Sequence, residues 1–204
     1  MITSLLVFCG SRTGHDPAHA ELAATLGKLL AERGITLVYG GGGVGLMGVM
    51  ARAALASGGS VVGIIPTTLM TAEIAQAGLT EMIVVDTLHE RKALMHARAD
   101  AILAIPGSIG TLDELFESMT WRELGIHDKP IWLLGPGGYW DPLVALLAHL
   151  DTTGFAPPDL ARLTAVLPDL AALDRAFLDP LPLHTLDGAG ARGPAVTGTT
   201  DARI

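Results

Sequence analysis

Between the apolar run Ala101-Ile102-Leu103-Ala104-Ile105 and the helix-like stretch Leu112 to Leu124 stands Pro106-Gly107-Ser108-Ile109-Gly110-Thr111-Leu112-Asp113-Glu114. These residue types in this order predict a strand, a small-residue turn and a helix start, with a carboxylate in the first helical turn. Backbone N–H groups at such a junction lack intrahelical acceptors and attract anions, phosphate above all. A Glu beside a bound phosphate adds nothing to binding. It makes sense if the carboxylate works on the sugar attached to that phosphate. Thr111-Leu112-Asp113-Glu114 also fits a capping box, in which Thr111 and Glu114 would satisfy the helix start, worth about 1 kcal/mol, with no chemistry. The small residues before Thr111 exceed what a cap needs and suit close approach of a ligand to the backbone.

Other clusters could share the task. His89-Glu90-Arg91-Lys92 opens a helix just past a strand. Cations there oppose the helix dipole, which points to a ligand rather than to a solvated first turn. Arg91 suits bidentate phosphate contact and Lys92 supplies a point charge. Gly43-Val44-Gly45-Leu46-Met47-Gly48 matches the dinucleotide glycine pattern, but it follows the second strand. The acidic residue expected at the end of the next strand is absent from Val61 to Pro66. The turn, Gly43 included, is therefore read as lining a mononucleotide pocket. Gly10 and Ser11 end the first strand beside Cys9, a buried thiol without an identifiable basic partner. The seven histidines show no metal-ligand spacing, so neither metal nor cofactor is expected. Trp121, Trp132 and Trp140 read as core or interface residues.

Strand-like and helix-like segments alternate and must position these groups. Strands are expected at Leu5 to Cys9, Ile35 to Tyr39, Ser60 to Ile65, Glu81 to Val85, Ala101 to Ile105 and Pro130 to Leu134. A last strand falls around Thr164 to Leu167. Helices are expected from Asp16-Pro17 to Arg33, then over Leu46 to Ser57, His89 to Arg98, Leu112 to Leu124 and Tyr139 to Leu150. Nearly continuous Val, Ile and Leu in the strands indicates burial on both faces, hence an α/β fold with a parallel sheet of about six to seven strands and helices on each side. Ligands then sit at the carboxyl ends of the strands. The glycine-bearing junctions at Gly10, Gly40 to Gly48 and Gly107 to Gly110 should meet on that edge. Residues 1–180 read as one domain, and the Gly-, Ala-, Thr- and Pro-rich tail 181–204 as disordered.

The 204 residues are half apolar and 17% charged, with a net charge of −8. Broad electrostatic binding of nucleic acid needs the opposite sign. No apolar run reaches membrane-spanning length, and the N-terminus lacks a basic signal-peptide region. Cys9 is the lone cysteine, so no intrachain disulfide forms and a cytoplasmic location fits.

Together these residues resemble the LONELY GUY (LOG) family of cytokinin riboside 5′-monophosphate phosphoribohydrolases. The resemblance runs from Val7-Phe8-Cys9-Gly10-Ser11 through Val38-Tyr39-Gly40-Gly41-Gly42, Gly45-Leu46-Met47-Gly48 and Gly63-Ile64-Ile65-Pro66. It continues through His89-Glu90-Arg91-Lys92, the Pro106 to Glu114 signature, Met119-Thr120-Trp121 and Leu124 to Pro130. It implies a Rossmann-like three-layer sandwich, a homodimer, and hydrolysis of the N-glycosidic bond of an N6-modified AMP to free base and ribose 5-phosphate. It also implies Arg91 and Glu114 as the essential pair. Implied substrate contacts are Glu73, Lys92, Ser108, Ile109, Gly110, Thr111, Leu112, Asp113 and Thr120. Ser108 departs from the second glycine of the family's P-G-G, and Gln76 stands where the family often has His. A protein that binds AMP without cleaving it is the competing reading. A pyridoxal-dependent decarboxylase would need a Schiff-base lysine, for which Lys28, Lys92 and Lys129 offer no motif.

Overall fold

The computed structural model describes residues 1–70, 75–156 and 160–179. The apolar runs form seven strands: β1 (Ser4–Phe8), β2 (Thr36–Tyr39), β3 (Val61–Pro66), β4 (Glu81–Val85), β5 (Ala101–Ala104), β6 (Ile131–Leu134) and β7 (Ala165–Leu167). Between and after them lie six helices: α1 (Pro17–Glu32), α2 (Gly45–Ala56), α3 (Leu88–Ala97), α4 (Ile109–Glu123), α5 (Asp141–Thr152) and α6 (Leu170–Leu178). All strand pairs are parallel, in the order β4-β3-β2-β1-β5-β6-β7. The expected α/β architecture is thus present.

Side chains alternate across the sheet, and both faces are covered. Leu5 and Val7 of β1 enter a core completed by Leu26 and Leu30 of α1, Met50 of α2, and Leu173 and Phe177 of α6. Leu6 and Phe8 point the other way, into a core with Met95 of α3, Leu115 and Met119 of α4, and Leu143 and Leu147 of α5. Each fully buried Leu contributes roughly 1.5–3 kcal/mol, so these faces fix the rotation of every helix. Edge strands pack less completely, and Val84 of β4 and Val166 of β7 remain exposed.

Strand order reverses at β1, which pairs with β2 on one side and β5 on the other. The start of that second pairing is locked by Asp100. Its Oδ2 accepts the Thr3 N–H at 2.8 Å, the Thr3 hydroxyl at 2.7 Å and the Ser4 N–H at 3.0 Å. The Asp100 N–H donates to Ser4 Oγ at 3.1 Å.

Side-chain caps open α1, α3 and α6, whereas α2, α4 and α5 start without one. Asp16 accepts the Ala18 N–H at 2.9 Å ahead of Pro17, as the sequence predicts. α4, however, begins at Ile109, three residues before the expected Leu112, and Ser108 is its N-cap. Thr111 is buried inside the first turn, so it caps nothing, and Glu114 falls in the second turn rather than the first. A related cap, with the glutamate reaching one residue further back, occurs at α3 instead. Thr87 Oγ1 accepts the Glu90 N–H at 3.1 Å, and Glu90 Oε2 accepts the Asp86 N–H at 3.1 Å.

Candidate active site

The three glycine-bearing junctions do converge. The Gly10 N–H donates to the Pro106 carbonyl at 3.0 Å, and the Leu46 N–H donates to the Gly10 carbonyl at 3.0 Å. The loops after β1, β2 and β5 are thereby joined at the carboxyl edge, where the strand order reverses. A cleft of about 500 Å³ opens there, lined by the Gly10–Gly14 loop, His19, Leu46, the Pro106–Ser108 turn, Gly110 and Tyr139. That volume lies in the usual range for small-molecule sites. A second cavity of about 110 Å³ shares Gly10, Ser11, Ser108 and Gly110 with it, and adds Cys9, Met47, Arg91, Thr111 and Glu114.

α4 points its N-terminus at this edge. Its first intrahelical bond runs from the Leu112 N–H to the Ser108 carbonyl at 3.0 Å. The N–H groups of Ile109, Gly110 and Thr111 thus have no acceptor within the helix, and the Ser108 side chain makes no capping bond. Gly107 must be glycine, since a Cβ there would stand 2.0 Å from Thr111 Oγ1. Thr111, Glu114, Leu115 and Ser118 follow helical i, i+3, i+4, i+7 spacing. Thr111, Leu115 and Ser118 are buried, and their packing brings Glu114 to the rim of the small cavity.

Arg91 approaches from α3. It is only 7% exposed. Its Nε donates to the Ile64 carbonyl at 3.1 Å and its Nη2 to the Gly40 carbonyl at 3.0 Å. The guanidinium is therefore held at the ends of β2 and β3. A Cβ at residue 40 would lie 2.0 Å from Arg91 Nη2, which explains glycine there. Burial, and then the Glu114 carboxylate, push the Cys9 thiol up, which disfavours the thiolate that a nucleophile needs.

The structure thus gathers Gly10, Ser11, Arg91, Ser108, Gly110, Thr111 and Glu114 around two cavities that share lining residues. Ile109 is 75% exposed at the helix start. Other residues of the sequence-based set are engaged elsewhere within the chain. Lys92 Nζ lies 3.2 Å from Asp113 Oδ2 and 3.1 Å from Glu117 Oε2, tying α3 to α4. Burial lowers its affinity for a proton, but the bonds to Glu117 and Asp113 outweigh this and raise it. Leu112 packs against the core. Thr120 stands over two turns along α4, with its hydroxyl donating to the Phe116 carbonyl at 2.8 Å. The Gly43 carbonyl accepts Arg52 Nη1 at 2.9 Å. Gln76 takes Arg52 Nη1 on its Oε1 at 3.1 Å. Glu73 and the tail 181–204 lie outside the described residues.

Sequence reasoning missed Tyr139 and His19, which wall the larger cleft. Tyr139 follows the Gly135-Pro136-Gly137-Gly138 turn at the end of β6, a glycine-bearing junction like the other three, and that was the available signal. His19 lies inside α1 and carries no such mark.

Fold and site define a Rossmann-like α/β protein with the N-terminus of α4 at its switch point. The model of the "Possible lysine decarboxylase" family matches residues 47–176, and the chain belongs to that family. A probable cytokinin riboside 5′-monophosphate phosphoribohydrolase of Oryza sativa subsp. japonica is 46% identical over 164 residues, covering 80% of this chain and 74% of its own. A cytokinin riboside 5′-monophosphate phosphoribohydrolase of Rhodococcoides fascians is 43% identical, covering 87% and 90%. One from Arabidopsis thaliana is 44% identical, covering 84% and 79%. The LONELY GUY resemblance is borne out. Among solved structures, the molybdenum cofactor carrier protein of Chlamydomonas reinhardtii aligns with a TM-score of 0.65 at 20% identity, covering 86% of this chain and 96% of its own. The molybdenum cofactor binding protein of Rippkaea orientalis gives 0.66 at 19%, covering 87% and 96%. These likenesses concern the fold.

Proposed function

We propose that this chain hydrolyses the N-glycosidic bond of N6-modified AMP, releasing the free base and ribose 5-phosphate, in keeping with relatives named cytokinin riboside 5′-monophosphate phosphoribohydrolases. The observation that carries this reading is the small cavity that holds Arg91 and Glu114 beside the α4 N-terminus. The 5′-phosphate rests on the amides of Ile109, Gly110 and Thr111, where the helix dipole favours negative charge. Binding energy from this remote group positions the ribose. As the C1′–N bond stretches, positive charge develops on the sugar. Glu114 stabilises that charge or activates the attacking water, as carboxylates do in glycoside hydrolysis. The water oxygen bonds to C1′, and its proton passes to the departing base. Arg91, fixed by two carbonyls, orients the phosphate or Glu114. Lys92 and Thr120 enter as substrate contacts only by resemblance.

Lysine decarboxylation is not the reading this site favours. Lys28 is exposed on α1, Lys92 is paired with two carboxylates, and Lys129 donates to the His96 carbonyl. None of the three lines either cavity.

We further propose a cytoplasmic homodimer. Exposed Leu88, Ile109, Leu124 and Ile126 supply apolar surface for self-association, and the lone buried Cys9 suits a reducing compartment. No helix among the described residues is long and apolar enough to cross a membrane.

Chromatography of products from AMP and N6-isopentenyl-AMP tests the activity. Release of adenine or isopentenyladenine with ribose 5-phosphate is expected. Tight nucleotide binding with no base released over hours would overturn hydrolysis and leave a nucleotide-binding protein.

A further inference from the structure

The Gly107 peptide groups are pinned by one side chain from the connection between β6 and α5. Tyr139 Oη accepts the Gly107 N–H at 3.2 Å and donates to the Gly107 carbonyl at 2.5 Å. A single hydroxyl thus satisfies both polar groups of the residue that leads into α4. Pro106, just before, has no N–H, and its carbonyl is taken by Gly10. Ser108, just after, contributes no side-chain cap. The orientation of the turn therefore depends on Tyr139.

That orientation matters for anions. In a trans peptide the carbonyl and the following N–H point in opposite directions. Holding the Gly107 oxygen against Tyr139 fixes the direction of the Ser108 N–H and keeps a negative carbonyl dipole off the phosphate position. The ring is itself held, edge-on to His19 at 5.6 Å and to Trp140 at 5.0 Å between centroids. It is seated by the Pro136–Gly138 turn, where the Tyr139 N–H donates to the Pro136 carbonyl at 3.3 Å. Tyr139 forms part of the cleft wall.

We infer that Tyr139 is a positioning residue for phosphate recognition, acting through the Gly107 peptide to preset the anion cradle at the start of α4. This deepens the nucleotide reading proposed above and rests on its phosphate placement. It concerns binding of the phosphoryl group, not cleavage.

Two measurements test it. Tyr139→Phe keeps the ring and removes only the hydroxyl. Calorimetry should show ribose 5-phosphate binding weakened about three- to tenfold, and KM for AMP should rise by a similar factor with kcat changed less. Binding equal to wild type, with only a lower melting temperature, would make the hydroxyl structural and overturn the inference. The second measurement needs no substitution. The chain has two tyrosines, and Tyr39 is fully buried in the core. After 3-fluorotyrosine labelling, ribose 5-phosphate should shift one of two fluorine resonances and ribose should shift neither. No shift at saturating ribose 5-phosphate would overturn the inference. A wild-type chain that binds ribose 5-phosphate yet releases no base sinks hydrolysis and leaves the Tyr139 role standing. Failure to bind ribose 5-phosphate sinks both.

Discussion

Arg91 and Glu114 depend on their neighbours in different ways. Glu114 is aimed by the burial of Leu115 and Ser118 beside it, so its carboxylate can change without loss of the helix. Glu114→Gln should lower kcat for base release by about 100-fold or more while nucleotide affinity and melting temperature stay near wild type. Steady-state kinetics with calorimetry would decide this, and near-normal turnover would remove Glu114 from the chemistry. Arg91 is aimed by the backbone, and Gly40 makes the space. Gly40→Ala would place a Cβ 2.0 Å from Arg91 Nη2, so the guanidinium must move. A loss of about 1–3 kcal/mol of stability is expected, with at least a tenfold fall in kcat/KM. Urea unfolding and initial rates measure the two effects separately. The glycine run Gly40 to Gly43 was legible as a ligand-edge turn. That one of its members exists for an arginine 51 residues away was not, because only the tertiary fold brings them together.

At the level of elements, α3 and α4 act as a pair. Lys92 bridges them through two carboxylates whose side chains differ in exposure: Asp113 is 62% exposed and Glu117 is 24%. An exposed partner contributes little, because water and salt screen it. Asp113→Asn should therefore change stability by less than about 0.5 kcal/mol, and Glu117→Gln should cost about 1 kcal/mol or more. Equal effects in denaturant titrations would contradict this ordering. The start of α4 shows where local reading stops. Ser108 and Thr111 are both good caps by type. What selects Ser108 is the contact of Thr111 with Gly107, a packing fact that no periodicity reveals.

Across the whole molecule, charge near the α3–α4 junction links stability to pH. His96 is buried, with its Nε2 3.0 Å from Ser118 Oγ. Ser118 Oγ donates to the Glu114 carbonyl at 2.7 Å, so a neutral His96 donating from Nε2 completes the pattern. Burial first, then the nearby His127, Lys129 and Lys92, lower its pKa to about 4. The unfolded chain takes up that proton at about pH 6.5, the folded chain only near 4. Stability is thus complete above about 6.5 and declines as pH falls towards 4, by on the order of 3 kcal/mol from this group. Urea unfolding at pH 7, 6 and 5 should show the decline, and the His96 ring proton resonance should stay flat down to about pH 5. The sequence made the parallel sheet, the helices on both faces and the small-residue turn before α4 legible, since each rests on local pattern. The order of the strands, the wall formed by Tyr139 and the His96–Ser118 contact were hidden, since each depends on which segments meet.

One such meeting constrains how the protein comes into being. Asp100 fastens the entry of β5 to Thr3 and Ser4 at the entry of β1, and the Gly10–Pro106 bond closes the far end of the same seam. A nascent polypeptide therefore cannot complete this edge until β5 has been made and has folded back on β1. Ligand cannot template the early strands. It can only trap the finished seam, so nucleotide added during refolding should slow unfolding without hastening the collapse that precedes closure.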